Sequence, residues 1–263
     1  MRPLSYHDTG DGFPIVLLHG FCESKKLWDL FAAMLSIKYR VVSVDLPGFG
    51  DSPSIEDGEP SIDTFADAVY ETLQNLKIEK CILIGHSLGG YVSLAYAEKY
   101  PKGLIGLGLF HSTSFADSQE KKQNRNKAIE FVEKYGTEKF VGNLFPDLFS
   151  PANKEKLNKQ IAYFVRDAAK TSASSVIYTT LAMRDRPDRR QVVSKASFPI
   201  MYIIGKDDAS VTLQQSLQEC TLPKESLVFF LSEVGHMGMI EASEQSIAFT
   251  EQFIAYCLKK YKL

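Results

Sequence analysis

The segment Gly85-His-Ser-Leu-Gly89 sets a serine between two glycines, each two residues away. The apolar run 81–84 leads into Gly85 and a helical pattern opens at Leu88, so Ser87 falls where a buried strand turns sharply into a helix. The backbone of such a turn is strained, and side chains at the glycine positions would meet neighbouring main chain. A serine hydroxyl attacks poorly until a base removes its proton. Histidine titrates near working pH and suits that task, and a carboxylate fixes the imidazole tautomer and stabilises the imidazolium. His236, His19 and His86 are the base candidates; Asp208, Asp207 and Asp45 are the acid candidates.

Such a constellation needs elements that hold it. The runs 15–18, 41–44, 81–84, 104–110, 200–204 and 227–231 are apolar at nearly every position, as expected of strands buried on both faces of a parallel sheet. Between them, 61–76 places Ile62, Phe65, Ala66, Val69, Leu73 and Leu76 on one helical stripe behind a capping Ser61, and 88–99 and 244–258 give further helices. This alternation predicts an α/β protein with a mostly parallel, doubly wound sheet. It stops between 112 and 195, where amphipathic helical segments at 122–135 and 154–169 are punctuated by Pro146, Pro151 and Pro187. The organisation expected is therefore one core of residues 1–111 and 196–263, with a helical insertion, 112–195, between two consecutive strands.

In these motifs the chain resembles the α/β-hydrolase superfamily over almost its whole length. His19-Gly-Phe21 is similar to the family's oxyanion loop. Asp45-Leu-Pro-Gly-Phe-Gly-Asp-Ser52 resembles its D-x-P-G-x-G-x-S turn, Gly205-Lys-Asp-Asp208-Ala-Ser-Val211 its G-x-x-D-x-x-V acid loop, and Gly235-His236 its histidine loop, each after an expected strand. The resemblance implies the α/β-hydrolase fold with the insertion as a cap, and a catalytic triad of Ser87, Asp208 and His236 in the family's chain order. It also implies an oxyanion hole made by the backbone N–H groups of Phe21 and Leu88, structural roles for His19, His86 and Glu241, and one N-terminal strand missing or vestigial. Cys22, beside the oxyanion loop, reads as a small packing residue.

A serine nucleophile implies acyl transfer through an acyl-enzyme, so the activity expected is hydrolysis of a small or medium carboxylic ester, lactone or thioester. Phe110, Phe164, Tyr178, Met183 and Met237 supply an apolar pocket, with Trp28 suited equally to pocket or core. Carbon–carbon bond hydrolysis, aminopeptidase action, cofactor-free perhydrolysis and a ligand receptor with little turnover remain open, because fold and triad do not separate them.

Composition excludes other classes. Net charge is -2 over 263 residues, which gives no electrostatic case for nucleic acid or an anionic membrane, and no apolar run approaches a bilayer span. Four scattered cysteines, no H-E-x-x-H and no P-loop spacing leave no metal or cofactor to expect; the cysteines read as free thiols of a cytoplasmic protein. No oligomeric state follows from the sequence.

Overall fold

The computed structural model describes residues 3–55 and 58–263. A short polar strand, β1 (Tyr6–Thr9), precedes the six apolar runs, which form β2 (Pro14–Leu18), β3 (Arg40–Val44), β4 (Cys81–His86), β5 (Leu104–Phe110), β6 (Ile200–Gly205) and β7 (Ser226–Leu231). They build one sheet in the order β1-β3-β2-β4-β5-β6-β7, antiparallel only between β1 and β3. Every residue of β4, β5 and β6 is buried, which is why these runs show no alternation. Register aligns the carboxyl ends of the central strands. Leu18 pairs with Gly85, His86 with Phe110 and Phe110 with Ile203, so the loops after β2, β4, β5 and β6 leave the sheet side by side.

Helices cover both faces. The first three are α1 (Asp29–Leu35), α2 (Ile62–Asn75) and α3 (Leu88–Lys99). The Ser61 hydroxyl accepts from the Asp63 N–H and caps α2, as its sequence pattern predicts. α3 is buried on all faces for most of its length, consistent with its central place behind the elbow. Four helices then separate β5 from β6: α4 (Gln119–Leu148), α5 (Asn158–Ala168), α6 (Ala173–Arg184) and α7 (Arg190–Ser194). After β6 come α8 (Leu213–Glu219), α9 (Gly238–Glu241) and α10 (Ser243–Tyr261).

Three details differ from the sequence reading. The N-terminal strand β1 is present but short, with all four residues exposed, so it carries no apolar signature; Arg40 pairs with its Asp8 at 2.7 Å. The helix expected over 122–135 begins at Gln119, with the Ser118 hydroxyl accepting from Lys121 N–H. That helix breaks at Gly136, whose φ of 80° and ψ of 166° are non-helical, next to its expected end at 135, whereas Pro146 punctuates nothing and lies inside the continuation to Leu148.

One core carboxyl yields a stability prediction. Glu219 closes α8, is fully buried, and accepts from Thr113 Oγ1 at 2.6 Å and Ser114 N–H at 2.7 Å, tying the segment that leaves β5 to α8. Burial pushes its pKa up from 4.5 to about 7, against the two hydrogen bonds that favour the anion. The folded chain thus binds this proton more tightly than the unfolded one. The resulting stabilisation, about 3 kcal/mol, is fully present below pH 4.5 and is lost as pH rises through 7. The Tm of the wild type is therefore expected to fall relative to that of Glu219→Gln between pH 5 and pH 8. A pH-independent difference between the two would refute it.

Candidate active site

Gly85 and Gly89 make the turn around Ser87 sterically feasible. A Cβ on Gly85 would overlap the backbone of Gly89 and Gly90, and one on Gly89 would overlap the Leu18 and His19 carbonyls. The elbow forces Ser87 to φ 48° and ψ -111°, a conformation a serine rarely adopts. It is pinned there by its own N–H to the Phe110 carbonyl at 3.0 Å and by the Ser112 hydroxyl donating to its carbonyl at 2.7 Å.

Two strand ends bring the other groups. Asp208 leaves β6 buried, and its Oδ1 accepts the Ser210 and Val211 N–H groups at 2.8 and 2.9 Å. Its Oδ2 lies 2.8 Å from His236 Nδ1. Burial alone would raise the Asp208 pKa, but the attraction of His236 and hydrogen bonds from His111 and His236 hold it far below the usual carboxylate range. Asp207 is exposed and accepts instead from the Ser150 hydroxyl at 2.8 Å. His236 is fixed by its N–H on the Leu148 carbonyl at 2.6 Å, and by Glu241, which accepts from Gly235 and Met237 N–H on either side of it. With Nδ1 committed to Asp208, Nε2 is the ring atom available to Ser87, and both residues line one cavity of about 350 Å³.

The His19 loop is held from below. His19 Nε2 accepts the Leu46 N–H at 2.9 Å, and Lys25 bonds the buried Asp45 at 2.6 Å through both its N–H and its ammonium. Asp45 thus works in the turn that anchors this loop, away from His236. Glu23 is buried, and accepts from the Gly20 N–H at 2.5 Å and faces His86 Nδ1 at 2.9 Å; His86 Nε2 faces the His236 carbonyl at 3.0 Å. Although burial opposes its charge, His86 holds the Glu23 pKa below its ordinary value. The N–H groups of Phe21 and Leu88 have no acceptor among the described residues. Burial raises the Cys22 thiol well above its ordinary pKa, which suits packing and not thiolate chemistry.

Among the pocket residues expected from sequence, Met183 lines the cavity with Ser87 and the others do not. Trp28 and Phe110 are wholly buried and pack edge-on at 5.7 Å with Phe31, filling the core beneath the site. Phe164 stacks on Phe145, and Met237 points into the core. Tyr178 packs on Phe65, donates to the Glu59 carbonyl and lines a separate cavity. Sequence reasoning missed Phe140, Leu144 and Leu148, which line the cavity from the second half of α4.

It also missed His111, the first residue after β5, held at φ 47°. Its Nδ1 lies 3.3 Å from both Asp208 Oδ2 and the Gly205 N–H, and its Nε2 accepts the Gly238 N–H at 3.2 Å. Burial drops its pKa to about 4, and it stays neutral at working pH. His111, Asp208 and His236 are the one trio of metal-ligand types brought together among the described residues, yet both rings spend Nδ1 on the same carboxylate oxygen.

The His236 environment sets a pH dependence. Burial lowers its proton affinity, but Asp208 and Glu23 more than offset this and place its pKa above 6.5. A base must be neutral to accept the serine proton, so activity that uses His236 should rise with pH and reach half its plateau above pH 6.5. A kcat/KM profile on a neutral ester measures this; a midpoint clearly below 6.5 would remove His236 as the base.

Comparison with known proteins adds three relatives. The 2-hydroxy-6-oxononadienedioate/2-hydroxy-6-oxononatrienedioate hydrolase of Paraburkholderia phymatum is 30% identical over 91% of this chain and 86% of its own length. The 2-succinyl-6-hydroxy-2,4-cyclohexadiene-1-carboxylate synthase of an Enterobacter species is 27% identical over 75% of this chain and 77% of its own. A thermophilic esterase of Thermogutta terrifontis, solved with malate bound, superposes with a TM-score of 0.91 at 27% identity, covering 97% of this chain and 93% of that one. The family model described as alpha/beta hydrolase fold matches residues 14–243, so the chain belongs to the α/β-hydrolase-fold family.

Proposed function

We propose that the protein is a serine hydrolase that cleaves a small or medium carboxylic ester, or a related lactone or thioester, through an acyl-enzyme. The observation that carries this is the 2.8 Å Asp208–His236 pair opening onto the same cavity as Ser87 at its strained turn. In this reading His236 Nε2 takes the Ser87 proton as Oγ attacks the carbonyl carbon. The N–H groups of Phe21 and Leu88 stabilise the oxyanion that forms. His236 then returns the proton to the leaving alkoxide, and water enters by the reverse sequence to release the acid. Helices α4 to α7 act as the cap over this cavity, to which Phe140, Leu144 and Met183 contribute apolar surface.

An esterase with a TM-score of 0.91 supports the reading. The test is covalent labelling by a fluorophosphonate followed by turnover of a chromogenic short-chain ester. Labelling at Ser87 with many turnovers is expected; labelling followed by a single stoichiometric burst would favour a receptor. The dienedioate hydrolase relative, 30% identical, favours one second reading, carbon–carbon bond hydrolysis. Loss of a dienone chromophore with no ester turnover would select it.

A further inference from the structure

The cavity at Ser87 has one strongly cationic side. Lys121, and one turn on Asn124 and Arg125, line it from α4, in a chain whose net charge is -2. Lys121 Nζ donates to the Ser210 carbonyl at 3.0 Å and meets no carboxylate among the described residues. Arg125 Nε reaches Asp117 Oδ2 at 3.1 Å, but Asp117 is shared: Arg186 Nη1 lies 2.8 Å from its other oxygen. One carboxylate therefore faces two guanidiniums, and the terminal nitrogens of Arg125 have no partner among the described residues. The single acid that lines the cavity among the described residues, Glu23, is already occupied by Gly20 and His86. Lys121 thus faces the cavity with no paired carboxylate among the described residues, and Arg125 with one that it shares with Arg186.

Their side of the cavity follows from the chemistry. Ser210 lies two residues beyond Asp208, and the Lys121 charge is close enough to lower the proton affinity of His236. In acyl transfer the leaving-group oxygen sits on the histidine side, where it receives the proton. Phe21, Phe140, Leu144, Leu148 and Met183 give the cavity apolar surface that suits an uncharged acyl group.

Resting on the ester-hydrolase reading above, we propose that the substrate is an ester whose leaving group carries a carboxylate, held between Lys121 and Arg125 while Ser87 attacks an uncharged acyl carbonyl. A guanidinium and an ammonium together hold a carboxylate by charge-assisted hydrogen bonds, and positive charge at the wall of a cavity attracts anions.

The test compares two acetyl esters of nearly equal shape and leaving-group chemistry, 4-acetoxybutanoate and 4-acetoxybutanamide, by acetate release. The wild type should favour the carboxylate at least about tenfold in kcat/KM. Arg125→Gln and Lys121→Gln should each lower that preference about tenfold, chiefly through KM, whereas Lys121→Arg should retain most of it. Raising the salt concentration should erode the preference, since part of it is screened attraction. Lys121→Gln should also move the acid limb of the neutral substrate to higher pH, because the lost charge opposed protonation of His236. If both esters turn over equally well in the wild type, or both variants keep the wild-type ratio, the inference is overturned while ester hydrolysis stands. If neither ester turns over and fluorophosphonate does not label Ser87, the ester-hydrolase reading itself fails.

Discussion

Ser87→Ala is expected to lower turnover of a short-chain ester by at least about 10³-fold, the scale on which loss of a triad nucleophile acts. The substitution removes only Oγ. The elbow is held by main-chain groups, the Ser87 N–H on Phe110 and its carbonyl receiving Ser112 and Gly90, so alanine keeps every one of those bonds. The strained φ of 48° is no harder for alanine than for serine, since both carry the same Cβ. The Tm should consequently stay within a few degrees of the wild type, and the lost activity is then chemical. Residual turnover is expected from water attacking a carbonyl still held in the proposed oxyanion hole. Intact-mass analysis after fluorophosphonate treatment gives the second readout: one adduct on wild type and none on the variant. An adduct on another serine, or a variant with a tenth of wild-type activity, would move the nucleophile elsewhere.

The framework of this site was legible because its signals are local. Strands β4, β5 and β6 are buried on both faces and so read as unbroken apolar runs, and each chemical motif sits within a few residues of such a run's end. β1 was not legible as a strand, since an exposed edge of four residues needs no apolar pattern and takes its hydrogen bonds from β3. What composition leaves undecided is the side of the sheet or helix that an aromatic faces. Trp28 and Phe110 fit a pocket lining by type, yet the packing of α1 against the sheet encloses them. The polar support was illegible for a different reason. Glu23 meets His86 across 63 positions, and His111 reaches Asp208 from the end of a neighbouring strand. No local spacing encodes such pairs. The weak signal for His111 was its type and place: a histidine directly after a central strand of a doubly wound sheet emerges at the edge where such sheets bind ligands.

Asp208→Asn is expected to keep the fold and to lower kcat by about 10²–10⁴-fold, while Asp207→Asn stays within about tenfold of wild type. The two neighbours differ in what depends on their charge. Asp208 is buried and accepts from two histidine rings and two backbone N–H groups, so its carboxylate is saturated with donors and kept anionic. That charge is what lifts the His236 pKa above 6.5 despite burial, and in the proposed reaction it would stabilise the imidazolium formed as Ser87 gives up its proton. An amide in its place retains one acceptor oxygen for either loop or ring and turns an NH₂ toward groups that are themselves donors. The imidazole then loses both its tautomer and its counter-charge. Without Asp208 the acid limb of the residual activity should shift to lower pH, as His236 becomes harder to protonate, a change that a merely misfolded variant would not produce. Asp207, exposed and accepting from the buried Ser150 hydroxyl, touches neither ring, and an amide oxygen in its place can still accept that bond. Steady-state kinetics and pH profiles on both purified variants decide the matter. A larger loss in Asp207→Asn assigns the acid there, and two mild effects would show that His236 does not rely on a carboxylate from this loop.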